Sequence, residues 1–327
     1  MTERPFPPLV PQDGRLSTEQ YQGQGWQNKH LFYGHPPGER PYVELIGDPA
    51  EHPLLLDILR FWIEQKGMTV DLRMRRVATA EAEGYVERSR LDPKWRGAFV
   101  TGALRTAIKP HVSLMARDLD QLPFVDTIFR FELGWPVGGI IAAAGFWKSL
   151  EELFKDQQFP IWFAGIQIVG SGPDAFSVAG MLTEKKIDNL WFYTEDLDEG
   201  RALVNRLGLG EERVLPLEAL GPLPAAAQTP FGAQTGSPHF LINTTRMGMA
   251  GAGEVPVELV LYPDQTFVYD LVYEPRETGL LRKARERGLP AVNGLLQLVE
   301  QAGQAFWLFV LDNPPRKQDA DLMVSLG

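Results

Sequence analysis

The feature that most narrows what this chain can fold into is a glycine-bearing turn, Gly170-Ser171-Gly172-Pro173-Asp174-Ala175. It lies between a mostly apolar run, Ala164–Val169, and a segment with helical spacing, Pro173–Lys185. A G-x-G-x-x-A turn in that setting is the strand–turn–helix start of a dinucleotide-binding unit. The first glycine permits the tight turn, and the second lets the backbone approach a pyrophosphate. The small Ala175 lets the helix pack on its strand, while the helix N-terminus attracts phosphate. The same residues also suit a strand–turn–helix that holds no ligand. Pro173 removes one amide donor, though it costs nothing in the first helical turn. Asp174 places a carboxylate near the phosphates, which is unfavourable unless it turns away.

The next strand, Asn189–Tyr193, ends at Thr194, Glu195 and Asp196. A dinucleotide domain commonly places there the acid that bonds the ribose 2′-hydroxyl. Glu195 and Asp196 would repel a 2′-phosphate, so NAD is favoured over NADP as cofactor. Asp196 is equally suited to cap the helix Leu197–Leu207, with Glu199 completing a capping box. Both roles are compatible.

The rest of the chain alternates strands and helices. Strands are expected at Tyr42–Ile46, Thr69–Val77, Ala98–Thr101, Val125–Phe131, Phe240–Asn243 and Thr266–Asp270. Helices are expected at Leu54–Gln65, Ala78–Arg90, Thr106–Arg117, Phe146–Lys155, Glu277–Arg287 and Leu295–Val310. Such alternation predicts an α/β protein with parallel sheets and right-handed crossovers. Residues 1–40 are rich in Pro, Gly and Gln and read as an irregular arm, and Gly221–Gly236 as a long loop.

Several function classes drop out. A net charge of −10 provides no basic footprint for nucleic acid or anionic lipid. There is no cysteine, which excludes disulfides and thiolate chemistry and fits a cytoplasmic location. The five histidines show no metal-ligand spacing. The longest apolar run, Val137–Phe146, is too short to span a bilayer, and the N-terminus lacks a signal-peptide pattern. The expected partner is a small molecule; the sequence leaves monomer and homodimer both open.

Near the C-terminus, Val268-Tyr269-Asp270-Leu271-Val272-Tyr273-Glu274-Pro275 runs on to Thr278, Leu280-Leu281, Ala284 and Gly288. Upstream lies Asn243-Thr244-Thr245-Arg246-Met247-Gly248, and downstream Gly294 and Gln301. In these spaced positions the chain resembles the shikimate dehydrogenase family over most of residues 42–310. That resemblance implies an N-terminal α/β substrate domain over 41–157, joined by a C-terminal helical segment, 295–327. It also implies a Rossmann-type doubly wound NAD(P)-binding domain over 158–294. Asn243, Thr244, Thr245, Met247 and Gly294 would lie along the cofactor. Tyr273 and Gln301 would touch substrate, or pack the hinge between the domains.

The substrate half departs from the pattern. The two serines that hold the substrate carboxylate in the family become Pro53 and Leu55. Thr101 survives, but the catalytic lysine becomes Arg105, its aspartate partner becomes Ala142, and a substrate-binding asparagine becomes Asp126. Arginine stays protonated in proteins and cannot take a proton, so the family's usual acid–base pair is missing. Arg105 is left to grip a carboxylate or phosphate. Asp126 is left as a replacement base or as an ion-pair partner of Arg105. Lys109, one helical turn on, stands in for the lysine if the register slips, and is otherwise a solvated helix lysine. His52 keeps a motif position, while His111 reads as a helix-end residue. Two functions follow as alternatives. One is a divergent NAD(P)-dependent oxidoreductase of a small hydroxy or keto substrate other than shikimate. The other is a non-catalytic nucleotide- or metabolite-binding protein that keeps the fold.

Overall fold

The computed structural model describes residues 40–48, 53–114, 123–131, 135–155, 160–223 and 239–309. Nearly all of the expected N-terminal arm lies outside those residues, as do residues 49–52, most of the 221–236 loop and everything after 309.

The first sheet has six strands: β1 (Tyr42–Gly47), β2 (Asp71–Arg76), β3 (Trp95–Val100), β4 (Ser113–Leu114), β5 (Thr127–Arg130) and β6 (Pro136–Gly139), in the order β2-β1-β3-β5-β6-β4. Helices α1 (Pro53–Gln65) and α2 (Ala82–Leu91) provide the crossovers that make β1 parallel to β2 and β3. The expectation of wholly parallel sheets fails at β5, which runs antiparallel to both β3 and β6. A parallel crossover needs about a dozen residues. Only Phe131–Trp135 separates β5 from β6, so the chain turns back on itself.

The helix expected over Thr106–Arg117 is also shorter. Helix α3 (Leu104–Ile108) passes into a 3-10 turn at Lys109–His111 and then into β4. Pro110 carries no amide hydrogen to continue the helical ladder.

The second sheet is parallel throughout: β7 (Gly165–Val169), β8 (Leu190–Thr194), β9 (Val214–Pro216), β10 (His239–Asn243), β11 (Thr266–Asp270) and β12 (Ala291–Asn293). Its order is β12-β11-β10-β7-β8-β9. Every residue of β7, β8 and β11 is buried, as expected of strands covered on both faces. The covering helices include α5 (Pro173–Glu184), α6 (Leu197–Arg206) and α7 (Gly279–Glu286). Between the sheets runs α4 (Ile141–Leu153), and the last helix, α8 (Leu295–Phe309), returns to pack on α1 and α4. Gly145 permits that contact, because a Cβ there would lie 2.9 Å from both the Gln297 carbonyl and the Gln301 amide. Trp62 and Phe306 meet edge to face on the α1 side, with centroids 6.1 Å apart.

Candidate functional site

In the second sheet the chain starts at β7, works outward through β8 and β9, then returns to β10 on the other side of β7. Ligands of open α/β sheets bind at such a reversal, outside the carboxyl ends of the strands. The two loops that bound it here follow β7 and β10, and both carry residues singled out from sequence.

Gly170 has φ +113°, and a Cβ there would meet Thr244 Oγ1 at 2.7 Å and Thr245 Cγ2 at 2.9 Å. This glycine is required by the fold. Gly172 differs: its φ is −73°, and an added Cβ would meet nothing within 4 Å. The space in front of it is open, as the approach of a pyrophosphate requires. Ala175 is buried in the core beneath the helix. Pro173 opens α5, and Asp174 lies in its first turn. The carboxylate of Asp174 turns toward the first sheet, where Arg105 Nη1 lies 3.1 Å from Asp174 Oδ1. Its charge is thus compensated rather than aimed at the phosphate site.

Beside this turn, Ser171 shares a hydrogen bond with Thr194 Oγ1 at 2.9 Å and donates to Glu199 Oε2 at 2.6 Å. Asp196 caps α6, accepting from the amides of Asp198 at 3.1 Å and Glu199 at 2.9 Å. The capping box does not close as expected. Glu199 reaches Ser171, and the Asp196 amide donates to Thr194 Oγ1 at 3.2 Å. Glu195 is exposed at the strand end.

The loop after β10 is built by a buried polar network. Asn243 Nδ2 donates to Asp270 Oδ1 at 2.8 Å and to the Met247 carbonyl at 3.1 Å, while its Oδ1 accepts from the Thr245 hydroxyl at 2.7 Å. Thr278 Oγ1 closes the network on Asp270 Oδ2. Thr244 donates to the Val169 carbonyl at 2.6 Å, tying this loop to β7. Burial pushes Asp270 up to about 6 against these hydrogen bonds. Gly294 has no room for a Cβ against the Leu271 carbonyl.

Facing this crevice is a cleft of about 60 Å³ between the two sheets. It brings together Thr101, Arg105, Asp126, Ala142, Tyr273 and Gln301, with Asp174 and Gly294 from the nucleotide side. Lys109 is not among the lining residues; it sits on the 3-10 turn beyond α3. His111 shares that exposed turn, and His52 lies outside the described residues. Thr101 is committed to the scaffold, its hydroxyl 3.0 Å from the carbonyls of both Ile46 and Asp48. Leu55, at a serine position of the family pattern, is buried and lines the cleft.

Asp126 is the most constrained group. Its Oδ1 accepts from the Ile141 amide and the Thr127 hydroxyl, and its Oδ2 from the Ala142 amide, each at 2.8 Å. The carboxylate therefore caps α4 from the bend just before β5, since the N-cap residue Ile140 has no side-chain acceptor. Burial raises its pKa, opposed by the charge of Arg105 and then by the two amides. Burial, with help from Glu274 and Asp174, also pushes Tyr273 up to about 12, so its hydroxyl stays protonated near neutrality. Sequence reading missed the capping role of Asp126 and the presence of Gln297 in the cleft. Gln297 lies one helical turn before Gln301, and that spacing was the available signal.

No family model matches the chain. A shikimate dehydrogenase (NADP(+)) from Sphingopyxis alaskensis is 32% identical over 290 residues, covering 89% of this chain and 98% of that one. The chain belongs to the shikimate dehydrogenase family, a family of oxidoreductases. Among solved structures, shikimate 5-dehydrogenase from Thermus thermophilus, in complex with NADP(H) and shikimate, aligns with TM-score 0.67 at 24% identity, covering 88% of this chain and 98% of that one. The Listeria monocytogenes shikimate 5-dehydrogenase, with shikimate and NAD, gives TM-score 0.72 at 19% identity over 90% and 99% of the two chains. A 5-ketofructose reductase from Gluconobacter gives TM-score 0.70 at 19% identity, over 88% and 98%. These likenesses show the two-domain Rossmann-type fold. Among the described residues there is no group of side chains that could hold a metal ion, and no helix long and apolar enough to cross a membrane.

Proposed function

We propose that this shikimate dehydrogenase family member is an NAD-dependent oxidoreductase of a small hydroxy or keto compound other than shikimate. In this reading Asp126 is the proton carrier and Arg105 the charge beside it. The single observation that carries it is the 2.8 Å hydrogen bond from the Ala142 amide to Asp126 Oδ2. Ala142 stands where the family pattern has its aspartate, and a carboxylate from the bend before β5 lies against its backbone.

The chain's own residues fit a dinucleotide. The open space at Gly172, the α5 N-terminus and the loop after β10 would hold its pyrophosphate and nicotinamide halves. What a bound nicotinamide dinucleotide supplies is acceptance or donation of hydride. The cleft must then handle the proton of the substrate hydroxyl. Burial raises the proton affinity of Asp126 and Arg105 opposes it, which suits a group that takes up and releases a proton. Tyr273, protonated near neutrality, is suited to donate to a substrate oxygen. Glu195 and Glu199 line the ribose side with negative charge, and Arg201, the cation nearest in sequence, is paired with Asp198 at 3.0 Å. A 2′-phosphate would meet repulsion there, which favours NAD over NADP.

The cleft's small volume and the Arg105–Asp174 bridge favour a second reading, a binding protein without turnover. Titrating NAD and NADP against the fluorescence of the eight tryptophans separates the two when followed by NADH formation with a panel of polyols. The proposal expects NAD to bind at least tenfold tighter than NADP, turnover with a substrate other than shikimate, and a narrower cofactor gap in Glu195→Arg. Absence of a response to either nucleotide would sink the oxidoreductase reading. Tight NAD binding without turnover on any polyol would favour the second.

A further inference from the structure

From the charges of the cleft we infer that the substrate carries no carboxylate and is a small uncharged polyol or hydroxyketone; the inference rests on the oxidoreductase reading above. The described residues lining the cleft include one cation, Arg105, and two carboxylates, Asp126 and Asp174. The guanidinium is already engaged. Its Nε donates to the Val100 carbonyl at 3.2 Å, its Nη1 pairs with Asp174 at 3.1 Å, and the charge of Asp126 lies beside it. A substrate carboxylate would be a third anion around one guanidinium in a partly desolvated space, where unpaired charge is poorly tolerated.

The hydroxyls that would otherwise receive a carboxylate are missing as well. Leu55 occupies one such position, and Thr101 has spent its proton on backbone carbonyls. What remains is a wall of Leu55, Phe99 and Leu298 facing the neutral polar groups of Tyr273, Gln297 and Gln301. Hydroxyl and carbonyl oxygens suit that set. The volume, about 60 Å³, is also less than half the ~150 Å³ of an engineered cavity that takes benzene. A compact substrate fits this space better than a substituted ring.

The test compares two pairs that differ only in the charged group: D-glycerate with glycerol, and shikimate with its hydroxymethyl analogue. Binding is read by calorimetry and thermal shift, with and without NAD, on the full chain. The expected result is that the neutral member of at least one pair binds tenfold or more tighter than its carboxylate partner. In Asp174→Asn, which gives Arg105 back one face, carboxylate affinity should rise at least tenfold. Carboxylates binding wild type as well as the neutral compounds do would overturn the inference, as would binding of neither member of either pair. So would an Asp174→Asn variant that folds like wild type yet gains no carboxylate affinity. Failure of NAD to bind, with neutral-ligand binding intact, counts against the oxidoreductase reading alone.

Discussion

Removing the Asp126 carboxylate should unsettle the start of α4 before it affects anything else. In Asp126→Ala the amides of Ile141 and Ala142 and the hydroxyl of Thr127 all lose an acceptor lying 2.8 Å away. An exposed helix cap is worth about 1 kcal/mol. A buried donor left unpaired costs about 1–3 kcal/mol, and two amides are orphaned here. Some relief comes from water entering through the cleft, so a loss of about 3 kcal/mol is expected, or roughly 6–12 °C in Tm. Asp126→Asn keeps one oxygen, enough for Ile141 and Thr127, but turns an amide group toward the Ala142 N–H. It should lose about 1–2 kcal/mol. Urea and thermal unfolding of the three proteins give the numbers. An alanine variant within 0.5 kcal/mol of wild type would refute the capping argument, by the scale of neutral surface changes of about that size. Turnover supplies an independent reading. Once a substrate is in hand, the folded asparagine variant should be about 10²–10⁴ slower, the usual value of acid–base assistance. A fully active asparagine variant would leave Asp126 with its structural role only.

Three further outcomes follow from particular contacts. Gly172→Val should cost no more than about 1 kcal/mol, a weaker helix cap with its Cβ meeting nothing within 4 Å, yet weaken NAD at least tenfold in the fluorescence titration; equal affinity would place the pyrophosphate elsewhere. Gly145→Leu should cost roughly 1–3 kcal/mol, because the atoms it strikes are the backbone of α8 and cannot rotate away; unfolding by urea measures it, and an unchanged midpoint contradicts the packing. Asp270 sits at about 6 when folded, above its unfolded value of about 3.9. Its contribution is therefore complete below about pH 4 and is lost as pH rises through about 6. The stability margin of wild type over Asp270→Asn should shrink by as much as about 3 kcal/mol across that window, and a margin constant with pH would show the shift is absent.

The extent to which this molecule was legible in its sequence tracks the range of the interaction concerned. Long strands and helices with strong periodicity, such as Thr266–Asp270 and Leu295–Phe309, were read nearly to their ends. The strands that escaped were short and punctuated by glycine or proline. Pro136–Gly139 and Val214–Pro216 look like turns until a neighbouring strand supplies their hydrogen bonds. The structure gathers Arg105, Asp126, Ala142, Tyr273 and Gln301, which the spaced motifs single out, around one cleft. The motifs could not say what each group would hold. The sequence leaves Arg105 either to grip a carboxylate or phosphate or to pair with Asp126; the carboxylate its Nη1 meets is Asp174, 69 positions along the chain and inside the very turn whose acid looks out of place. Each of those two residues, taken alone, argues against the family's function: an arginine cannot take a proton, and an aspartate repels phosphate. Paired at 3.1 Å, the arginine removes the objection to the aspartate, while the proton is left to another group. The arginine draws the acid off the phosphate site, and the acid neutralises much of the charge the arginine could offer to a substrate carboxylate. The departures from the family pattern are thus coupled across the cleft, and reversing Arg105 to lysine alone should not restore shikimate oxidation. With Leu55 and Ala142 still in place the site would lack both a carboxylate clamp and the original acid, and NADH or NADPH formation with shikimate above the wild-type rate in that single variant would refute the coupling.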